Sequence, residues 1–377
     1  MLTAESVSFV DYTNEARKLL KTITSDKCFK REIWKQFGFF AKVKPDHDIF
    51  PVRAPYDSTD PQSLNIGSNF LTDEKSDWIA GPDVITAKLL SGNGKVPRIL
   101  KAYRLVPRGK QKGMQPIKLI GTIPVDPYED DLFQRVIEHR KANEKNKALK
   151  HALKIIANST SYGCFVELNE EKVTEAVKLE VYSGDDHHTL RDVKEVESPG
   201  SLYFPPLASL ITAGERLLLA ADTDSILVVA NKSREVAGAI KREEDYVALK
   251  EGSLSEREFV PRPALSLDTV RQISKRFTDL NPYKFGGTIL KIEDVNYQND
   301  DPEKPLRTVY GYAISAKRYC LFMYENGEVK IVDAKGHGLG FLRPPVENPP
   351  GWDKKWPFWI EQAWLYVLHN EFHHSQT

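Results

Sequence analysis

LLLAADTDSILVV, residues 217–229, decides how this chain is read. Two aspartates, Asp222 and Asp224, stand two apart between an apolar run and a β-branched one. In an extended strand, residues two apart project to the same side, so around a turn the pair can share a divalent ion. Carboxylate oxygens suit a hard cation such as magnesium. Two such ions can activate a hydroxyl and stabilise a leaving pyrophosphate in phosphoryl transfer. By itself D-T-D-S also reads as a polar β-turn, because Asp and Ser are ordinary turn residues.

The flanking sequence supplies context. PPLASLITAGERLLLAA opens with proline, and Leu207, Leu210, Ile211, Leu217 and Leu218 fall on one helical face. Upstream, residues 129–163 are rich in helix formers and predict two helices that reverse near 144–147. The second ends in KIIANSTSYG. There Lys154 and, one turn later, Asn158 can present an ammonium to a triphosphate and an amide to a sugar or base. Arg140 on the preceding helix can meet the same phosphates. Lys141 and Lys145 read as a solvated face.

Farther out, the pattern predicts a helix over 13–22 and two strands, around Phe39–Val43 and Ile49–Val52, joined at PDHD. A helix then ends at SGNGK, and an extended piece follows it. Residues 165–203 predict strands about SGDDHH, 232–262 a helix plus loop, and 266–280 a helix. ILKIEDVNY and YGYAISAKRYCLFMYENGEVKIVDAK predict strands, the last two joined at ENGE. The tail GWDKKWPFWIEQAWLYVLHNEF predicts a helix whose aromatics pack into a core.

Bulk properties narrow the class. At 377 residues the chain fits two or three packed subdomains. Lys+Arg and Asp+Glu balance at 53 each. A free-standing nucleic-acid binder is usually basic, but metal-holding carboxylates can offset a basic groove elsewhere. Cys28, Cys164 and Cys320 are too few and too scattered for a disulfide framework or a zinc site. A reducing, cytoplasmic setting is the expectation. The first residues lack the basic-then-apolar pattern of a signal peptide, and no apolar run approaches a membrane span.

Taken together, the motifs resemble those of the family B DNA polymerases. That family carries K-x-x-x-N-S-x-Y-G on its fingers and then Y-x-D-T-D-S on a palm hairpin. AKRYC, residues 316–320, is similar to its thumb-side K-K-R-Y element, and KFGGTILKIEDVNY to the segment before it. The resemblance covers nearly the whole chain from about Trp34. It implies an α+β fold: a palm with a discontinuous antiparallel sheet, a helical fingers pair and a C-terminal thumb. The implied divisions are a partial palm over 1–128, fingers over 129–165, palm with the D-T-D-S hairpin over 166–264, and thumb over 265–377. It implies DNA-directed nucleotidyl transfer with Mg2+ at Asp222 and Asp224. Arg140, Lys154, Asn158 and Tyr162 would bind the incoming deoxynucleoside triphosphate. Lys317, Arg318 and Tyr319 would hold primer–template DNA, positioning the duplex rather than reading its sequence.

Four departures shape the expected activity. The family's upstream D-x-x-S-L-Y-P strand, whose aspartate bridges both metals, has no match. The nearest string, VDYTNEA with Asp11, lacks the Tyr-Pro ending and reads as Asp or Thr opening a helix. The chain thus reads as beginning just after that motif. The helix before Asp222 leaves little room for a strand of about 5–6 residues, and Ala220 stands where the family has Tyr. N-S-T-S-Y-G has one residue more than the family's N-S-x-Y-G. No proofreading exonuclease precedes the polymerase-like portion, and I-E-D at 292–294 reads as a strand with a charged edge. The expectation is therefore an incomplete polymerase with little or no activity alone, its missing aspartate supplied by a separate polypeptide. The alternatives are a catalytically dead remnant, or a DNA-binding or interaction module on the same scaffold.

Overall fold

The computed structural model describes residues 3–46, 48–50, 54–55, 64–65, 69–71, 77–91, 93–182, 188–219, 230, 235–239, 259–263, 265–315, 318–336 and 346–373. Asp222, Asp224 and Lys317 lie outside them. The chain divides into two units, residues 1–289 and 290–377.

The first unit opens with strand β1 (Ser6–Asp11) and helix α1 (Thr13–Thr22). Two single-turn helices follow, α2 (Ser25–Cys28) and α3 (Arg31–Trp34). Next come β2 (Phe39–Lys44), β3 (Asp48–Phe50), the short β4 (Ala54–Pro55), β5 (Leu64–Asn65) and β6 (Asn69–Leu71), then β7 (Asp77–Ala80). Helix α4 (Gly81–Leu90) leads to the long strand β8 (Arg98–Arg108). Four of these strands form one antiparallel sheet in the order β1-β8-β2-β7.

Alternation in β2 buries Phe39, Ala41 and Val43. They pack with Ala16, Leu19 and Leu20 of α1, which recur at the spacing of one helical face, and with Val84 and Ile85 of α4. Each fully buried Val, Leu, Ile or Phe among them contributes about 1.5–3 kcal/mol. Gly81 starts α4 where a Cβ would sit 2.6 Å from the Phe39 ring, so only glycine lets helix and strand approach this closely. The two strands expected around PDHD both exist, but not as a hairpin pair. β2 pairs with β7 and β8, and β3 pairs with β6.

Hairpin β9 (Ile117–Leu119) and β10 (Ile123–Val125) precedes α5 (Leu132–Ala142) and α6 (Lys147–Ser161). The Asp131 and Asn146 side chains cap the two helices by accepting from Gln134 and Leu149 N–H groups. Ile123, Val125, Val136, Leu153 and Ala157 make a small core of their own. A 3-10 turn, Gly163–Phe165, then starts the hairpin β11 (Leu168–Tyr182) and β12 (His188–Pro199). Helix α7 (Pro205–Leu219) follows, its last residue three positions before Asp222. β13 (Glu235–Ala239) pairs with β14 (Phe259–Pro263), where a helix plus loop is expected, and α8 (Leu267–Arg276) comes after.

The second unit contains β15 (Tyr310–Ser315), β16 (Arg318–Glu325) and β17 (Glu328–Gly336), an antiparallel sheet, and α9 (Phe358–His373). The ENGE turn has Asn326 and Gly327 at positive φ, as a tight hairpin requires. Cys320, Phe322, Ile331 and Ala334 of the sheet bury against Trp356, Ile360, Trp364 and Leu368, which recur every fourth residue. The indole N–H of Trp364 donates to the Lys335 carbonyl and that of Trp356 to Glu361. The strand expected at ILKIEDVNY is instead irregular chain with 3-10 turns at Asp294–Asn296 and Gln298–Asp300. The following turn-forming run QNDDPEKP, with Asn299 and Asp300 at positive φ, closes the chain on itself there.

Candidate functional site

The helix pair α5–α6 carries four of the predicted nucleotide-binding residues. Lys154 is exposed at the middle of α6 and Asn158 is exposed in its last turns. Four residues advance a helix by about 40° beyond one full turn, so the two side chains lie in one stripe. Lys147 and His151 extend that stripe toward the start of α6, and both are exposed. Tyr162 caps the helix end with φ −128° and is 46% exposed. Because α6 continues through Ser161, the extra residue of N-S-T-S-Y-G is absorbed as helix. Tyr162 thus stands at the margin of the stripe, about 80° round from Lys154.

Arg140 sits apart from this group. It is half-buried in the last turn of α5, beside the connection to α6, whereas Lys154 and Asn158 lie in the second half of α6. Lys141 pairs with Glu144 at 2.6 Å, in keeping with a solvated role. The pair is locally basic: between Leu132 and Ser161 there are seven Lys or Arg and two Glu. The C-terminal end of α6 points its negative dipole toward Tyr162. Attraction of phosphate would therefore come from the side-chain cations, not from a helix terminus.

Arg318 and Tyr319 are neighbours on β16, in the second unit. Consecutive strand residues project to opposite faces. Arg318 has the parity of buried Cys320 and Phe322, while the Tyr319 hydroxyl lies 3.3 Å from Asp333 on the other face. The strand thus separates the two side chains that the resemblance assigns to one duplex.

Asp11 is better placed than its sequence context suggests. It ends β1, opposite Tyr103 of β8, and its carboxylate accepts the Thr13 N–H at 2.9 Å. Hydrogen bonds from Thr13, aided by Lys101 and Arg17, hold its carboxyl below the usual range, so it is ionised at neutral pH. Of the two openers the sequence offers, the helix starts at Thr13; Asp11 ends the strand, and Tyr12 is the N-cap, without a side-chain cap. The strand before it was missed, although S-V-S-F-V alternates in the way a strand should. Such hard oxygen donors suit magnesium. Among the described residues, however, no group of three or more His, Cys, Asp or Glu is placed to hold a metal ion.

Asp83 and Arg216 form the best-buried ion pair among those described. The Arg216 guanidinium grips both carboxylate oxygens, at 3.0 and 2.7 Å, and joins α4 to α7. Burial pushes the Asp83 carboxyl up, with Arg216 pulling the other way. Two thiols are shifted for a similar reason: burial pushes Cys28 up to about 11 and Cys320 up to about 12.

These residues belong to a mixed α+β protein whose paired strands are antiparallel, and no described helix is long and apolar enough to cross a membrane. No protein-family model matches the chain, and no curated protein or solved structure matches it.

Proposed function

We propose that the chain is the core of a family B-type DNA polymerase, adapted to template-directed nucleotidyl transfer. Deoxynucleoside triphosphate would lie along α6, with Lys154 meeting phosphate oxygens and Asn158 the sugar or base. Asp222 and Asp224 would hold magnesium, which supplies activation of a primer hydroxyl and neutralisation of the leaving pyrophosphate. Primer–template DNA would be held from the β15–β17 sheet. The observation that carries this reading is the exposed Lys147–His151–Lys154–Asn158 stripe on a helix pair that is basic within a neutral chain.

A second reading concerns completeness. The resemblance places a metal-bridging aspartate at a strand upstream of the fingers. β1 precedes the helix pair α5–α6 and ends in an exposed aspartate, Asp11, which would fill that role. The chain would then carry its own third carboxylate, without the Tyr-Pro ending, in place of one from a second polypeptide.

Primer extension by the purified chain, with magnesium and four deoxynucleotides, separates these readings. Activity abolished by both Asp224→Asn and Asp11→Asn would support a self-contained site. No extension by the unaltered chain, restored by a second polypeptide, would support a split site. Extension that survives Asp224→Asn would overturn the assignment of D-T-D-S.

A further inference from the structure

The four-stranded sheet buries one face under α1 and α4, and its other face displays aromatic rings. Strand register fixes which side chains share that second face, because directly opposed residues project to the same side. Phe9 stands opposite Leu105 and Tyr103 opposite Phe40, while Lys42 stands opposite both Lys101 and Trp78. Each strand therefore contributes one aromatic: Phe9, Tyr103, Phe40 and Trp78. Phe9 is 54% exposed and Trp78 is 40% exposed. The Trp78 and Tyr103 rings stack across β2 with centroids 5.8 Å apart and planes 28° from parallel. Together with Pro205 and Pro206 of α7 these rings line an open pocket of about 410 Å³. The Lys101 ammonium lies 4.9 Å from the Tyr103 ring centre.

We propose that this face is a stacking platform for the bases of a single-stranded nucleic acid. Flat aromatic surfaces accept any base on its π-face, and cations beside them hold the phosphates. Lys42 and Lys101 stand between the rings, which gives the face charge complementarity to a polyanion; a purely apolar partner would have to desolvate both. Among the described residues, the carboxylate on this face is Asp11, which is engaged by the Thr13 N–H and lies in the field of Lys101. The platform requires neither Asp222 nor Asp224, so it goes beyond nucleotidyl transfer and stands without it.

The test is fluorescence anisotropy with two labelled probes of equal charge, an oligothymidylate of about 15 nucleotides and an abasic phosphodiester of the same length. The full chain should bind the thymidylate at least about tenfold more tightly than the abasic strand. Trp78→Ala should lower thymidylate affinity about tenfold and leave abasic binding unchanged, while Trp78→Phe keeps most of the preference. Circular dichroism of each variant checks that the sheet is intact. Equal affinity for the two probes, no binding of either, or indifference to Trp78→Ala in a folded variant would overturn the proposal. Absent primer extension with thymidylate preference retained would count against the polymerase reading and not against the platform.

Discussion

At the scale of the residue, Lys154 and Trp78 carry the two proposals in different ways. A lysine on an open helix face acts through charge alone. Its loss removes one charge-assisted hydrogen bond, worth about 1.5–3 kcal/mol. Lys154→Ala should therefore weaken deoxynucleotide binding at least about tenfold, as titration calorimetry would read. Unchanged affinity would remove α6 from the nucleotide site. The α6 stripe was legible in the sequence because Lys154 and Asn158 are separated by one helical turn. The split between Arg318 and Tyr319 was legible too, from the period of two, but the family pattern treats them as a block. The aromatic platform was not legible. Phe9, Phe40, Trp78 and Tyr103 come from four strands, and only pairing brings them onto one face.

At the scale of the element, α7 is tied to α4 by a buried ion pair, and removing one partner of such a pair is costly. Arg216→Met should destabilise the fold by roughly 3–5 kcal/mol at neutral pH, because Asp83 is left buried and charged. The sign of the pH dependence follows from burial, which already raises the Asp83 carboxyl. Between the ordinary carboxyl value and the raised one, the variant's folded state keeps a proton that the unfolded chain has released, and above it Asp83 is buried and charged. Stability should then be highest in acid and fall as pH rises through the folded carboxyl's range. Urea unfolding near pH 5 and near pH 8 reads this difference; a deficit equal at both would show that Asp83 is not the cause. Helices α1, α5, α6 and α7 and the Asn326–Gly327 hairpin were legible because caps, periodicity and turn residues are local signals. β7 was missed because four residues leading straight into a helix leave no period to read. The partners of β2 were missed because β8 lies more than fifty residues away, and local pattern encodes no such pairing.

At the scale of the whole molecule, each unit owns a hydrophobic core. Cys320, Phe322, Trp356, Ile360, Trp364 and Leu368 belong to residues 290–377 alone. That segment, expressed by itself, should unfold in one cooperative thermal transition with a near-ultraviolet tryptophan signal. A flat melt would mean that its core depends on the first unit. The zero formal charge of the chain hides an uneven layout. The strands β11 and β12 carry, with their connection, nine Asp or Glu against four Lys or Arg, next in sequence to the basic helix pair. A strand of 15 residues reaches roughly 50 Å. The first unit therefore carries an acidic hairpin next in sequence to a basic helix pair. Near a polyanion the two stretches feel opposite forces: the helix pair is drawn toward it and the hairpin is repelled.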